Sequence, residues 1–331
     1  MTLPTKNVLG ILADNLRSRG RVMHLAAHHA TAWAEGLSIP RGGETVLYTG
    51  HMYQLLPAMG AMARRMADFE ESWITSFFGL GRIVNKAIDL SAFMAGADPA
   101  ERAASTARLR GIARLLRQAG VEFGYLYDEE LYAGALVHDG GVTDAFEIHA
   151  RRVAEVLRRH DVRRVICVDP HTLNVMRSVL PEVVEGWDVE VTSYLEVLAA
   201  ERPALIRDVS SELAVHDSCV YARFEGVVDQ PRQLLSIAGV ELREPRFARR
   251  MTHCCGGPVE SLFPSKAHAI AEKRIEQLVE TGAPGAVTMC PICLLNLRTT
   301  AGEDLVIRDI SEVLVEAYCP AEDDHERDAA A

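Results

Sequence analysis

Short apolar segments alternate along this chain with longer stretches of helical periodicity. The clearest buried strands are Thr45–Thr49 and Arg164–Val168, and the segments 100–119 and 144–159 are typical of amphipathic helices. Further elements are predicted as strands at 121–123, 189–193, 212–216 and 286–289, and as helices at 7–38, 55–92 and 270–281. Repeated helix-then-strand order predicts an α/β fold with parallel sheets flanked by helices.

The two halves of the chain repeat one pattern. Three pairs of segments align: Val46–Tyr53 with Ala214–Tyr221, Leu131–Gly134 with His253–Gly256, and Val168–Thr172 with Met289–Cys293. The first half carries an insertion that covers most of residues 58–105. The repeat predicts two related lobes with a boundary near residues 195–210.

These patterns divide the chain into four expected regions. They are an N-terminal helical extension (1–43), a first lobe (44–200), a second lobe (201–319) and a disordered acidic tail (320–331). The tail is expected to be solvated because it is almost entirely charged in the stretch 322–328.

Composition narrows the class of protein. A hydrophobic content of 48% in 331 residues is enough for a sizeable core without disulfides. The net charge of −11 argues against nucleic acid or an anionic membrane surface as the main partner. We see neither a long apolar run nor a basic leader, so we expect a cytoplasmic protein without direct membrane insertion, which associates with a membrane only through a partner.

The cysteines form the most informative pattern. All seven fall at or after Cys167, and five of them are grouped as Cys219, then Cys254-Cys255, then Cys290 and Cys293, with about 34 residues between groups. Because parallel strands end at the same edge of a sheet, these five thiols are expected to meet there. Four would complete a zinc site and the fifth is surplus, whereas a cluster accepts more thiolates. Cys167 and Cys319 are interpreted as core residues.

The spacing Cys–(about 34)–Cys-Cys-Gly–(about 34)–Cys-Pro-x-Cys resembles the cysteine-rich CCG domain. That domain occurs in the B subunit of heterodisulfide reductase and in the iron–sulfur subunits of glycolate-, lactate- and glycerol-3-phosphate-oxidising enzymes. The run His216-Asp217-Ser218-Cys219, with Arg223 four positions on, is similar to the family's sequence around its first cysteine. The resemblance extends across residues 44–318, as tandem CCG-type repeats.

The first lobe departs from this family pattern. Its counterparts of the cysteine motifs are His51, Tyr132-Ala133-Gly134 and Asp169-Pro170-His171-Thr172. Three interpretations remain open: an empty lobe that supports the other, residual metal binding through His51, Asp169 and His171, or a pocket for a substrate or cofactor. We favour the first, because every soft ligand is missing while Gly134 and Pro170 remain.

The resemblance implies an iron–sulfur redox subunit of a multi-subunit oxidoreductase. Its implied cofactor is one [4Fe–4S] cluster, of ordinary or non-cubane form, held by Cys219, Cys254, Cys255, Cys290 and Cys293. Arg223 and the Gly256-Gly257 amides are expected to offset its negative charge. His253 is a candidate proton donor to a departing thiolate, or else an ordinary solvent-facing or core histidine.

The implied partners are a ferredoxin-like subunit, similar to the C subunit of heterodisulfide reductase, and a flavoprotein subunit. The alternatives are an iron–sulfur subunit of a hydroxy-acid dehydrogenase that passes electrons toward quinone, and a zinc-stabilised scaffold without a redox role. The segment 7–40 resembles the linker that follows a ferredoxin domain in longer relatives, so a separate ferredoxin-like subunit is expected to dock beside it.

Overall fold

A computed structural model describes residues 5–70, 98–260 and 262–321. Its strands are β1 (Thr45–Tyr48), β2 (Arg164–Cys167), β3 (Glu190–Ser193), β4 (Ser211–His216), β5 (Val240–Arg243), β6 (Gly285–Thr288) and β7 (Val306–Asp309). Its helices are α1 (Thr5–Arg19), α2 (Ala27–Thr31), α3 (Met52–Glu70), α4 (Pro99–Gln118), α5 (Ala135–Asp139), α6 (Thr143–Arg159), α7 (Pro170–Asn174), α8 (Leu180–Val183), α9 (Tyr194–Glu201), α10 (Asp229–Ile237), α11 (Pro264–Val279), α12 (Pro291–Ala301) and α13 (Ile310–Tyr318).

Two parallel sheets lie at the centres of two lobes, which confirms the predicted α/β architecture. The first sheet has the order β1-β2-β3 and the second has the order β5-β4-β6-β7. Beside β1, the isolated bridge of Val46 to Gly124 occupies the edge that β5 occupies beside β4. Both lobes therefore have the same strand order, with one edge reduced to a bridge in the first.

The lobes also share their local structure. The helix after the last strand begins with a capping box in both, formed by Ser193 with Glu196 and by Asp309 with Glu312. The helix after the central strand begins in both with a proline at its first position, preceded by Asp169 in one lobe and Cys290 in the other. These matches support the repeat that the sequence predicts.

Two reciprocal hydrogen bonds join the lobes. The Tyr53 hydroxyl of the first lobe donates to Asp309 Oδ2 of the second at 2.8 Å. The Tyr221 hydroxyl of the second lobe lies 2.9 Å from Ser193 Oγ of the first. Both tyrosines are fully buried, and they occupy equivalent positions in the repeat. The contact is therefore symmetric, like a two-fold interface between subunits.

Some predicted elements differ from the structure. The helix expected over 7–38 is interrupted after Arg19, because Gly20 has a φ of +69° in the left-handed region that ends helices. The strand expected at 121–123 is absent, and pairing begins instead at Gly124. The helix expected over 55–92 is α3 as far as Glu70, and its remainder lies outside the described residues.

The N-terminal helices pack on the first lobe. Helix α1 contacts α5 and α6, and the Trp33 ring lies 4.7 Å from that of Tyr125 in an edge-on arrangement. Trp33 is 1% exposed, so this segment contributes to the lobe's core. Within the part of the chain that the structure describes, no helix combines the length and apolar character that crossing a bilayer requires.

We expect Tyr53→Phe to lower the free energy of unfolding by about 1 to 3 kcal/mol, because it leaves a buried carboxylate oxygen of Asp309 without its donor. Tyr127→Phe is the control, since it removes only a half-buried hydrogen bond to the Ile39 carbonyl of the N-terminal extension and leaves the lobe interface intact, for a loss of about 1 kcal/mol or less. Urea titration of both variants compares the two losses. A Tyr53→Phe protein as stable as the wild type would contradict a stabilising role for this contact.

Candidate metal centre

Five cysteines converge at the carboxyl edge of the second sheet. Cys219 follows β4, and Cys254 and Cys255 lie in the loop before the short 3-10 turn Gly257–Val259. Cys290 is the N-cap residue of α12 and Cys293 lies in the first turn of that helix. Parallel strands bring their following loops to one edge, which is why residues far apart in sequence meet here.

The thiols form a continuous chain of side-chain contacts. Hydrogen-bonding contacts connect Cys219 to Cys254, Cys254 to Cys255, Cys255 to Cys293, and Cys293 to Cys290. Two further cysteines lie outside this chain of contacts: the Cys167 sulfur lies 4.0 Å from Met176 Sδ and belongs to the first lobe's core, and Cys319 follows α13.

Backbone amides direct partial positive charge at the sulfurs. The Gly256 amide lies 3.3 Å from Cys254 Sγ, and the Gly257 amide lies 3.4 Å from Cys255 Sγ. Gly256 has a φ of +81°, and a Cβ there would lie 2.4 Å from the Ala267 carbonyl oxygen, so only glycine fits this turn. The predicted role of these amides is thus matched by their geometry.

The turn before the cysteine pair is braced by Arg223. Its guanidinium donates to the carbonyls of Arg250 and Thr252, rather than to a sulfur. Arg223 therefore holds the loop in place, and its expected compensation of cluster charge has no direct contact in the structure. The His253 ring is half-buried, and its Nε2 has no partner among the described residues.

Burial and mutual contacts lower the pKa of some of these thiols and raise the pKa of others. Contact with Cys219 lowers the pKa of Cys254, and the same contact raises that of Cys219. Burial raises the pKa of Cys290, but hydrogen bonds from Cys293 and His171 outweigh it and the net shift is downward. Several of these neighbouring thiols can ionise to thiolates together only when a metal supplies compensating positive charge.

The first lobe contributes one side chain to this centre. His171 is 6% exposed, lies 3.4 Å through Nδ1 from Asp139 Oδ2, and hydrogen-bonds the Cys290 side chain across the lobe interface. Burial lowers the pKa of His171, but these two contacts outweigh it and raise the pKa to about 10. The histidine therefore faces the second lobe's thiols, and it does not face a site in its own lobe.

The residues His51, Asp169 and His171 do not form a metal site. Asp169 Oδ1 caps α7 by accepting the His171 and Thr172 amides at 2.9 and 3.0 Å. Among the described residues, only His216, Cys255 and Cys293 bring three ligand atoms within 4.8 Å of one another. His216 is the functional residue that the sequence interpretation missed. Its place in the family-like run before Cys219 was the available signal.

Aromatic side chains fill the first lobe where the second has thiols. Tyr132, the counterpart of Cys254, is fully buried, and its hydroxyl accepts the Leu136 amide at 2.9 Å. Tyr48, the counterpart of His216, donates its hydroxyl to the Leu131 carbonyl at 2.6 Å. The backbone turn is retained, because Gly134 has a φ of +98°, close to that of its counterpart in the second lobe.

A buried carboxyl group lies under the same turn. Glu130 accepts a hydrogen bond from Thr49 Oγ1 at 2.6 Å, and burial raises its pKa to about 8. Because its ordinary pKa is near 4.5, the folded chain binds more protons than the unfolded chain between about pH 4.5 and 8. This group therefore makes the protein less stable as the pH rises through that window.

We expect Glu130→Gln to match the wild-type stability near pH 4.5 and to exceed it at pH 8, by on the order of 3 kcal/mol. Glu155→Gln, a substitution at an exposed position on α6, is the control and is expected to leave the pH dependence unchanged. Urea midpoints measured across this pH range test the claim. A parallel pH dependence in Glu130→Gln and wild type would contradict it.

The comparisons with known proteins agree with this geometry. Residues 213–298, from β4 to most of α12, match the family model of the CCG cysteine-rich domain. The chain is 31% identical to the D subunit of dihydromethanophenazine:CoB–CoM heterodisulfide reductase of Methanosarcina mazei, over 62% of this chain and 54% of the relative. It is 30% identical to the EtfAB:quinone oxidoreductase of Syntrophomonas wolfei, over 62% of this chain and 31% of the relative.

A further relative is the probable iron–sulfur-binding oxidoreductase FadF of Bacillus subtilis, 29% identical over 63% of this chain and 31% of the relative. The chain spans about half the length, or less, of these curated relatives. The five converging thiols, the matched domain and these redox relatives support an iron–sulfur centre. This chain carries a CCG cysteine-rich domain and resembles the iron–sulfur oxidoreductases that share it.

Proposed function

We propose that this chain is an electron-transfer subunit of a multi-subunit oxidoreductase, similar in role to the B subunit of heterodisulfide reductase, with one [4Fe–4S] cluster in its second lobe. The observation that carries the proposal is the contact chain of five cysteine sulfurs, built on one sheet edge and supplied with amide N–H donors. The relatives supply the redox context, since each is named as a reductase or an oxidoreductase.

The candidate ligand atoms are of the chemical type that binds iron–sulfur clusters. Thiolate sulfur is the usual ligand of such clusters, and here the candidates are Cys219, Cys254, Cys255, Cys290 and Cys293. When bound, the cluster would supply one-electron redox chemistry, and in its non-cubane form disulfide cleavage as well. The chain's own residues orient the sulfurs, offer amide hydrogen bonds and exclude water from the buried side.

His253 is proposed as the proton donor to a thiolate that leaves the centre. The support is its place directly before the cysteine pair and an imidazole Nε2 without a partner among the described residues. That nitrogen is buried and has no competing partner in the described part of the chain, so it is available to hydrogen-bond a sulfur of the centre. His171 is a poorer candidate, because its ring is already held between Asp139 and Cys290.

The first lobe (44–200) is proposed to bind no cluster and to support the second lobe (201–319). Its counterpart of the site is filled by Tyr48 and Tyr132, both buried and hydrogen-bonded. It serves the redox centre instead through His171, which contacts Cys290. The helical extension (1–43) is proposed to belong with this lobe, and residues 322–331 of the expected acidic tail (320–331) lie outside the described residues.

Electrons are proposed to pass through the face around Cys219 and Cys254, the two partly exposed cysteines of the five. Phe224 and Met251 flank this face and are 70% and 72% exposed. Arg246 and Arg250 lie in the segment before the Cys254-Cys255 pair, are exposed, and form no ion pair with a carboxylate among the described residues. A basic, apolar rim on a chain of net charge −11 fits an acidic ferredoxin-like partner, with a flavoprotein subunit further along the path.

The name of the Syntrophomonas relative favours a second candidate function. That protein is called an EtfAB:quinone oxidoreductase, so the same centre would pass electrons toward quinone. Both candidates require the cluster, and they differ in the electron acceptor. Oxidation of the reduced protein by a soluble quinone, compared with oxidation by a heterodisulfide, separates them.

We expect anaerobically purified protein to be brown and to contain about four iron atoms per chain, which corresponds to one cluster. Cys290→Ser should lose most of the iron and the broad visible absorption, whereas Cys319→Ser should retain both, because Cys319 lies outside the thiol chain. Iron, sulfide and zinc analysis with EPR spectroscopy tests this. A colourless zinc protein, or a Cys290→Ser protein with full iron, would overturn the proposal. About eight iron atoms per chain would contradict the claim that the first lobe binds no cluster.

Met251→Ser with Arg250→Glu should slow reduction of the cluster by an acidic bacterial ferredoxin at least tenfold at low salt, since it removes apolar contact and reverses a charge. Reduction by dithionite should be unchanged, which controls for damage to the centre. Ile237→Ser, at an exposed apolar position on α10, is the matched surface control. Equal rates of cluster reduction by ferredoxin in the wild type, the double variant and Ile237→Ser would exclude this face as the docking surface for the electron donor.

A further inference from the structure

His216 lies at the thiols in the position of a metal ligand. It is the last residue of β4, is 1% exposed, and brings a ring nitrogen within 4.8 Å of the sulfurs of Cys255 and Cys293. One histidine with two cysteines, and a third cysteine in contact with them, is the donor set of a structural zinc site. The hydrogen bonds of the ring decide whether it can act as a ligand.

Arg274 determines which nitrogen of the His216 ring carries the proton. Its Nε donates to His216 Nδ1 at 2.8 Å from helix α11, and Arg274 is itself fully buried. The rest of the guanidinium is fixed by the carbonyls of Phe247 and Val215 and by Gln277 Oε1, at 2.8, 3.3 and 3.0 Å. Arginine has donors and no acceptor, so His216 Nδ1 must accept this bond and carries no proton.

A neutral imidazole with an unprotonated Nδ1 carries its proton on Nε2. The lone pair of Nδ1 is directed at Arg274, and Nε2 has no lone pair to give. Neither nitrogen of His216 is available to a metal ion. Nε2 is buried and has no partner among the described residues, so its N–H requires an acceptor, and the His216 ring has a nitrogen within 4.8 Å of the sulfurs of Cys255 and Cys293.

We propose that His216 is a hydrogen-bond donor to the sulfur of the redox centre, and that Arg274 fixes it in this tautomer, which leaves the cysteines as the metal ligands. The inference rests on the proposed cluster site and adds a positioning pair to it. The pair disfavours a Cys₂His zinc site, because the one histidine that the described residues bring within ligand distance is committed elsewhere. An N–H···S bond also stabilises the more negative, reduced form, so it raises the reduction potential.

Two measurements on the wild-type chain test the tautomer without any substitution. In zinc-loaded, ¹⁵N-histidine-labelled protein, long-range ¹H–¹⁵N correlation spectra should show a protonated Nε2 and an unprotonated, metal-free Nδ1 for His216. In cluster-loaded protein, pulsed EPR should show only the weak ¹⁵N coupling of a hydrogen-bonded ring. A metal-bound nitrogen in either experiment would overturn the proposal.

Substitutions test the effect on the centre. His216→Ala should shift the reduction potential of the cluster to a lower value, and His216→Gln, which keeps an N–H donor, should recover part of that shift. His268→Ala, at an exposed position on α11, is the control and should leave the potential unchanged. An unchanged potential in His216→Ala, with full iron content, would show that no N–H···S bond acts on the centre.

The proposed function and this inference fail in different ways. If the purified protein holds zinc and cannot take up iron, the electron-transfer role fails, while the tautomer of His216 can still be read from the zinc-loaded spectra. If the cluster is present and His216 is found as a ligand, the role survives and the inference fails. Arg274→Leu, where it folds, should permit His216 to bind zinc and so raise the zinc affinity of the site.

Discussion

A symmetric exchange of buried tyrosines joins the two lobes, and their docking places the first lobe against the thiols of the second. Tyr53 reaches Asp309 and Tyr221 reaches Ser193, so each lobe contacts the cap of the other lobe's last helix. The caps themselves are rigid, because each is closed by its own glutamate. Burying two hydroxyls without partners would be costly, so the native arrangement of the lobes is the one that satisfies both.

This arrangement brings a histidine of one lobe to a cysteine of the other. His171 lies in the first turn of α7 in the first lobe, and the docking of the lobes places it at Cys290. The thiol centre is therefore completed by both lobes, although its candidate ligands all come from the second. A second lobe expressed alone would contain every cysteine of the group but lack the contact of His171 with Cys290.

The sequence could predict the parts of this structure that follow from local periodicity and from repeated motifs. The buried central strands, the strand–turn motifs and the five-cysteine spacing are such features. Two edge strands, Val240–Arg243 and Val306–Asp309, were not predicted, because each has exposed positions and too few apolar residues to stand out. The helix predicted across Gly20 was too long, because a continuous apolar pattern does not reveal a left-handed residue.

The roles of His216 and His171 could not be predicted from spacing. Both depend on a partner far away in sequence: Arg274 for the first, and Cys290 in the other lobe for the second. A histidine beside a cysteine motif suggests a ligand, and only the hydrogen bond to Nδ1 shows that this one is a donor. Long-range contacts of this type decide the chemistry of a polar side chain, while periodicity decides only whether it is buried.

The contrast between the lobes shows how an α/β unit of this design is stabilised when its turns carry no cysteines. The turn with the left-handed glycine and the proline-initiated helix meet at the sheet edge, where the second lobe places its sulfurs. An empty space there would cost packing energy and leave backbone groups without partners. In the first lobe Tyr48 and Tyr132 fill it, and their hydroxyls bond the Leu131 carbonyl and the Leu136 amide. The same backbone is thus stabilised by aromatic packing in one lobe, and we infer by metal–thiolate bonding in the other.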